Sequence, residues 1–140
     1  MVLISLSFVL LISAIYIYLS NRNTDMILYE WLGVDNNNRF FDFTRNHSHN
    51  LAPWIKYNLP DGLWLLSYLL FMEGVWNNDK LLKWLFSIPI VVFAFVIELL
   101  QFYGNFPGTG DVLDILFYMI AILLFILIIK LKQMYYEKNT

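Results

Sequence analysis

The sequence predicts an all-α membrane protein with four transmembrane helices. Hydrophobic residues make up 59% of the 140 residues and charged residues only 14%, and the mean hydropathy of +0.59 is well above that of a soluble domain. The apolar residues also fall into runs close to the length of about 20 residues that a spanning helix needs. We therefore expect a single domain over residues 1–140, with helices at residues 2–19, 60–76, 83–102 and 112–129.

Each predicted helix has its own sequence signal. The first run, 2–19, has no basic segment before it and is longer than the apolar core of an ordinary signal peptide, so we expect it to be retained. The second run begins at Pro60, and the third contains Pro89, which predicts a kink. The connection to the fourth run contains Pro107 and Gly108 and is short. A short connection predicts that the third and fourth helices are antiparallel neighbours.

The segment 20–59 is predicted to be a long loop on the outer side of the membrane. Asn23, Thr24 or Asp25 can cap a short interfacial helix that ends near Gly33. Aromatic residues further along this loop are typical of side chains at headgroup depth: Phe40, Phe41, Phe43, Trp54 and Tyr57. We therefore expect the loop to lie against the bilayer.

Charge and cysteine content exclude several kinds of function. The net charge is -2 and no block of basic residues is present, which argues against nucleic-acid binding and against a polybasic anchor for anionic lipids. Cysteine is absent, so disulfides and thiol chemistry are excluded. His47 and His49 are one residue apart in the loop, a weak metal signal, and no metal site is predicted from them.

Polar residues interrupt the apolar runs at one end of the predicted bundle. Glu98 and Gln101 are three residues apart and share a face of the third helix. Asp111 and Asp114 have the same spacing at the start of the fourth helix, and Tyr118 follows on that face. Because these helices are predicted to be antiparallel neighbours, the two polar pairs should face each other. Charged side chains inside a membrane are costly and usually mark function.

Further residues are candidates for the same site or for structural roles. Asp61 lies at the same depth at the start of the second helix, and Arg45 in the loop offers a guanidinium for phosphate or carboxylate groups. Asp61 and Asp111 can also be simple helix caps. At the other end, Glu73 can reach Lys80 or Lys83, which we interpret as a structural ion pair.

The chemistry of the acidic residues leaves several interpretations open. Glu98 and Asp114 are the candidates for acid/base catalysis, if the protein is an enzyme. Several oxygen ligands at one depth are also the kind that bind a hard cation. The ligand-binding candidates are Glu98, Gln101, Asp111, Asp114, Asp61, Tyr118 and Arg45.

The two polar pairs resemble a known family. The stretches Ile97–Gln101 and Gly110–Asp114 carry Glu-x-x-Gln before a short loop and Asp-x-x-Asp after it, as in the VanZ-like small bacterial membrane proteins, and the resemblance covers about residues 60–125. The family commonly has an arginine in the short loop, where this chain has Gly108-Thr109-Gly110. Tyr118 and Ala121 replace the usual Asn and Gly of the last helix, and Arg45 is a candidate to stand in for the loop arginine.

The resemblance implies a multi-pass protein of the bacterial cytoplasmic membrane, linked through its namesake to teicoplanin resistance. The resemblance itself names no reaction. The leading hypothesis is binding of a membrane lipid, a cell-wall precursor or the antibiotic at an outer-facing acidic pocket. The alternatives are a membrane enzyme acting on a lipid or prenyl-linked substrate, and an oligomeric proton or cation pathway. The sequence does not specify a cofactor. Lysines on one side of the bundle predict that both termini are cytoplasmic: Lys80, Lys83, Lys130, Lys132 and Lys138.

Overall fold

The computed structural model describes residues 1–21, 51–106 and 110–138. The predicted interfacial helix, Arg45, His47 and His49 lie outside these residues. Regular structure in the described ranges is helical throughout. Its elements are α1 (Val2–Asn21), α2 (Pro53–Tyr57), α3 (Leu59–Val75), α4 (Lys80–Phe102) and α5 (Val112–Lys138).

The long helices form where the apolar runs predicted them, but some of their ends differ from the predicted bounds. Three of the described helices, α1, α4 and α5, contain stretches long and apolar enough to cross a membrane. α4 begins earlier than predicted because the Asp79 carboxylate accepts a hydrogen bond from the Leu82 N–H at 3.1 Å and caps the helix at Lys80. α5 continues to Lys138 instead of ending at residue 129. The five-residue helix α2 lies in the segment predicted as loop.

α3 is the central helix of the described bundle, and it packs against α1, α4 and α5. The core contains four leucines of α3 together with small or aromatic residues of α4 and α5. Its buried members are Leu65, Leu66, Leu69, Leu70, Ala94, Tyr118 and Ala121. Many large apolar side chains of α1, α4 and α5 are exposed instead, as expected of helix faces that contact lipid.

Small residues bring α1 and α3 close together. A Cβ atom added at Gly74 would lie only 2.6 Å from the Ile4 side chain, so this crossing needs a glycine. Near the middle of α3, the buried Ser67 hydroxyl donates a hydrogen bond of 2.8 Å to the backbone oxygen of Ser7 in the first half of α1. Close backbone approach with a hydroxyl bond is the usual way that helices pack where there is no water to drive association.

Two ionic contacts tie the lysine-rich end of the bundle together. The Glu73 carboxylate is buried and accepts from the Lys83 ammonium at 2.7 Å and from the Lys132 ammonium at 3.3 Å. Lys132 also donates to the Asn77 side-chain oxygen at 2.6 Å. The predicted pairing of Glu73 with Lys83 is confirmed, and Lys132 is a partner that the sequence did not indicate. These contacts join α3, α4 and α5 at one end.

A tyrosine hydroxyl connects α3 to the turn of α4 that precedes Pro89. Proline has no N–H to donate to the preceding turn. In that turn, the Phe86 carbonyl accepts a hydrogen bond from the Tyr68 hydroxyl at 3.1 Å. The carbonyl that lacks its helical donor because of Pro89 is that of Leu85, four residues before the proline. The Tyr68 contact lies one residue beyond it and joins α3 to α4 beside the proline.

The Tyr68→Phe variant should lower the free energy of unfolding by about 1 kcal/mol, because it removes one hydrogen bond and leaves the ring in place. Chemical denaturation in detergent micelles measures this difference. Tyr57→Phe is the matched control, since the Tyr57 side chain is 51% exposed. Equal stability of the two variants would show that the Tyr68 hydroxyl contributes nothing to holding α4 on α3.

Candidate functional site

The end of α4 is shaped so that the chain turns back at once. Gly104 has a φ of +71°, a left-handed conformation that glycine adopts without strain. The Asn105 N–H donates to the Leu100 oxygen at 2.8 Å and the Gly104 N–H donates to the Gln101 oxygen at 3.0 Å. This pair of bonds is a Schellman motif, which satisfies the last carbonyls of the helix.

Gly110 then brings the chain back against the end of α4. A Cβ atom at this position would collide with the backbone of Phe102 and of Gln101. Only glycine therefore allows the stretch of chain before α5 to lie directly on the last turn of α4. As a result, Asp111 is placed beside Glu98, as the two polar pairs of the sequence predicted.

Glu98 and Asp111 join the two helices through a backbone bond. The Glu98 carboxylate is 4% exposed, and its Oε1 accepts from the Asp111 N–H at 2.5 Å. The Asp111 carboxylate in turn accepts from the Leu113 N–H at 2.9 Å. Asp111 is thus the N-cap residue of α5, one of the two roles that the sequence left open for it.

Asn58 belongs to this site, although the sequence analysis did not predict a role for it. It lies at the break between α2 and α3, is 3% exposed, and its side-chain nitrogen donates to both aspartates of α5. The distances are 3.1 Å to Asp111 Oδ2 and 2.7 Å to Asp114 Oδ1. An asparagine two residues before Pro60 is a helix-start signal, and it could have drawn attention to this position.

Helix α2 helps to hold Asn58 in place. The Trp54 ring stacks on Phe117 of α5, with ring centroids 6.0 Å apart. The Asn58 N–H donates to the Trp54 oxygen at 3.1 Å. A Cβ atom at Gly62, one turn into α3, would lie 3.0 Å from the Phe117 oxygen, so α3 and α5 are in close contact here.

Tyr118 forms the inner boundary of this polar cluster. Its side chain is buried and packs edge-to-face on Trp64 at 6.1 Å and on Phe95 at 5.6 Å between ring centroids. Asp61, in the first turn of α3, is close enough to act electrostatically on the Tyr118 hydroxyl. We call Asn58, Asp61, Glu98, Asp111, Asp114 and Tyr118 the acidic cluster.

The remaining predicted site residues are Gln101 and Arg45. Gln101 contributes its backbone to the helix end and to the contact with Gly110. Arg45 lies outside the described residues. In the part of the chain that the structure describes, no group of three or more His, Cys, Asp or Glu side chains is arranged to hold a metal ion.

An apolar groove between α1 and α3 leads away from the acidic cluster. Its outer part, about 440 Å³, is lined by Asp61, Trp64 and residues of α1 that include Leu11. A second part of about 230 Å³ shares Leu11 and Trp64 and continues along α3 to Phe71. The groove therefore places apolar surface directly beside an acidic group.

Comparison with known proteins finds no family model, no curated protein and no solved structure that matches this chain. The VanZ-like resemblance thus remains a hypothesis drawn from the two polar pairs.

Proposed function

We propose that this chain is a VanZ-like protein of the bacterial cytoplasmic membrane that binds a lipid or a cell-wall-related ligand at its acidic cluster. The observation that supports this proposal most directly is the meeting of Glu98, Asp111 and Asp114 around the buried Asn58. On insertion scales a charged side chain costs about 3 kcal/mol at the centre of a membrane helix, and these carboxylates lie nearer the helix ends, where the cost is lower. Carboxylates gathered from separate helices and buried together still favour a role in recognition.

The apolar groove favours a lipid-like ligand. Asp61 and Trp64 lie at the end of the groove next to the acidic cluster, and the rest of its lining is mostly apolar. A ligand with a polar head and a hydrocarbon chain suits such a site, because pockets of this kind use a few polar groups to orient a mainly apolar molecule. The head would lie at the acidic cluster and the chain along α1.

In this proposal α3 also crosses the membrane, which brings the number of transmembrane helices to four, and both termini are cytoplasmic. α3 lies between the three long apolar helices and carries Asp61 near one end and Glu73 near the other. Lys83 and Lys132 meet at the Glu73 end. Lysines favour the cytoplasmic side, so the acidic cluster faces outward.

Teicoplanin susceptibility of a sensitive host tests this function. Wild-type protein should protect the host, whereas Glu98→Gln and Asp114→Asn should return it to the susceptibility of cells without the gene. Glu98→Gln is informative because an amide oxygen can still accept from the Asp111 N–H while the charge is lost. Glu137→Gln, an exposed acid at the other end, is the matched control and should still protect.

Membrane levels and thermal stability of the variants must be matched, so that loss of protection is not loss of protein. Lipid extracted from the purified chain and identified by mass spectrometry gives a second readout. Absence of protection by wild type at verified expression would refute the glycopeptide part of the proposal. Equal lipid content in wild type and Glu98→Gln would refute binding at the acidic cluster.

A further inference from the structure

The lysine-rich end of the bundle contains an open pocket of about 570 Å³ between α3, α4 and α5. Three lysines line it: Lys80 and Lys83 from α4, and Lys132 from α5. Lys80 and Lys83 are three residues apart and Lys132 is distant from both in the sequence, so no basic run marks all three. Asn77 and Gln133 add amide groups to the same pocket. The fold therefore gathers a set of hydrogen-bond donors that the sequence does not show as a block.

Most of the ammonium N–H donors in this pocket are still available. An ammonium group has three donors. Lys83 uses one on Glu73, and Lys132 uses one on Glu73 and one on Asn77. Lys80 is exposed and its ammonium has no partner within the described ranges. The remaining donors converge from two helices, which is the arrangement that a phosphate group with several acceptor oxygens requires.

The charge of the pocket is also suited to an anion. Its lining has three lysines and two glutamates, Glu73 and Glu137. Glu73 is buried and is shared by two lysines, so its charge is already compensated. Glu137 is exposed and lies on the last turn of α5. The part of the pocket around Lys80 and Lys83 is therefore the positive part.

Aromatic residues place this pocket at headgroup depth. The Trp84 side chain, one residue after Lys83, is 52% exposed, and Tyr135, three residues after Lys132, is 69% exposed. Exposed tryptophan and tyrosine at helix ends are typical of the membrane interface. Leu81, beside Lys80, is 76% exposed, so apolar surface for a lipid chain adjoins the lysines.

We propose that this pocket binds the phosphate headgroup of an anionic phospholipid. Basic pockets between transmembrane helices at the cytoplasmic surface are suited to such headgroups, with each lysine contributing electrostatic attraction. Lys80 is the main contact, because it alone among the three lysines is not engaged with Glu73. This site lies at the opposite end of the bundle from the acidic cluster and does not depend on the function proposed for that cluster.

The experiment is a lipid titration of the purified full-length chain followed by native mass spectrometry. Phosphatidylglycerol is compared with phosphatidylcholine carrying the same acyl chains. Lys80→Gln should weaken phosphatidylglycerol binding about fivefold, the loss expected for one lysine near a phosphate. Lys130→Gln is the matched control, since it removes the same charge from an exposed position of α5 outside the pocket. It should leave binding unchanged.

Three results would overturn the proposal. Equal binding of the two lipids would show that the headgroup charge is not recognised. Equal losses for Lys80→Gln and Lys130→Gln would show that general surface charge, and not the pocket, attracts the lipid. Complete displacement of phosphatidylglycerol by millimolar inorganic phosphate would show that the site binds free phosphate.

Lys80 makes no contact with Glu73, so the Lys80→Gln variant should fold normally, and its thermal stability checks this point.

Discussion

Asn58→Asp should lower the free energy of unfolding more than any other substitution proposed for this chain. It replaces the amide that donates to Asp111 and Asp114 at 3.1 and 2.7 Å with a carboxylate. Both hydrogen bonds are lost, and a third negative charge is placed beside two others. One like-charge pair at about 4 Å costs on the order of 4 kcal/mol at the effective dielectric constant of a protein surface. We expect a loss of that size in the free energy of unfolding.

Asn58→Ala separates the two causes of this loss. It removes the donor without adding charge, and an aspartate pair without its donor should cost about 2 kcal/mol. Denaturation of both variants in the same detergent measures the difference. If Asn58→Asp were no less stable than Asn58→Ala, the two aspartates of α5 would not be charged neighbours of residue 58, and the arrangement of the acidic cluster would have to be revised.

Glu73→Gln should have the second largest effect on stability. The variant removes the carboxylate that contacts both Lys83 and Lys132, whose side chains are 15% and 26% exposed. Two partly buried ammonium groups then repel each other without this counter-charge. Breaking a buried ion pair by removing one partner costs about 3 kcal/mol, and thermal or chemical denaturation in detergent should show a loss of that size.

Glu137→Gln provides the comparison, because Glu137 lines the same pocket but is exposed. Its effect should stay within about 0.5 kcal/mol. In the double variant Glu73→Gln/Lys83→Gln, the second substitution should restore part of the lost stability. Similar stability of the Glu73 and Glu137 single variants would mean that the ionic contacts at this end do not hold the three helices together.

The long helices could be predicted because their cause is local in the sequence. Apolar runs of about 18 residues or more with few charges are typical of membrane helices, and the predicted bounds agree closely with α1, α3 and α4. The far end of α5 could not be predicted from hydropathy. Its last residues are polar or charged but remain good helix formers, so the helix continues to Lys138 beyond the apolar run.

The acidic cluster was predictable only in part. The contact between Glu98 and Asp111 could be predicted from the short connection between two long helices, and the structure confirms it. Asn58 could not be placed in the same way, because it is 53 positions from Asp111 and belongs to no periodic pattern. The contact between Lys132 and Glu73 could not be predicted for the same reason, because the two residues are 59 positions apart. Contacts between distant segments depend on which helices are neighbours, and composition does not specify that.

The two polar ends of the bundle are a defined distance apart along the helices. Asn58 and Glu73 mark the two ends of α3, and Lys83 and Glu98 mark matching levels on α4. Each pair is fifteen positions apart, which at 1.5 Å per residue is about 22 Å along a helix. The hydrocarbon layer of a typical bilayer is about 30 Å thick. These polar groups are buried, however, and the exposed apolar residues of α4 extend beyond them, from Leu81 to Phe102. That stretch is about 31 Å long at 1.5 Å per residue, so the outer surface of the helix matches an ordinary bilayer while the polar contacts are made inside it.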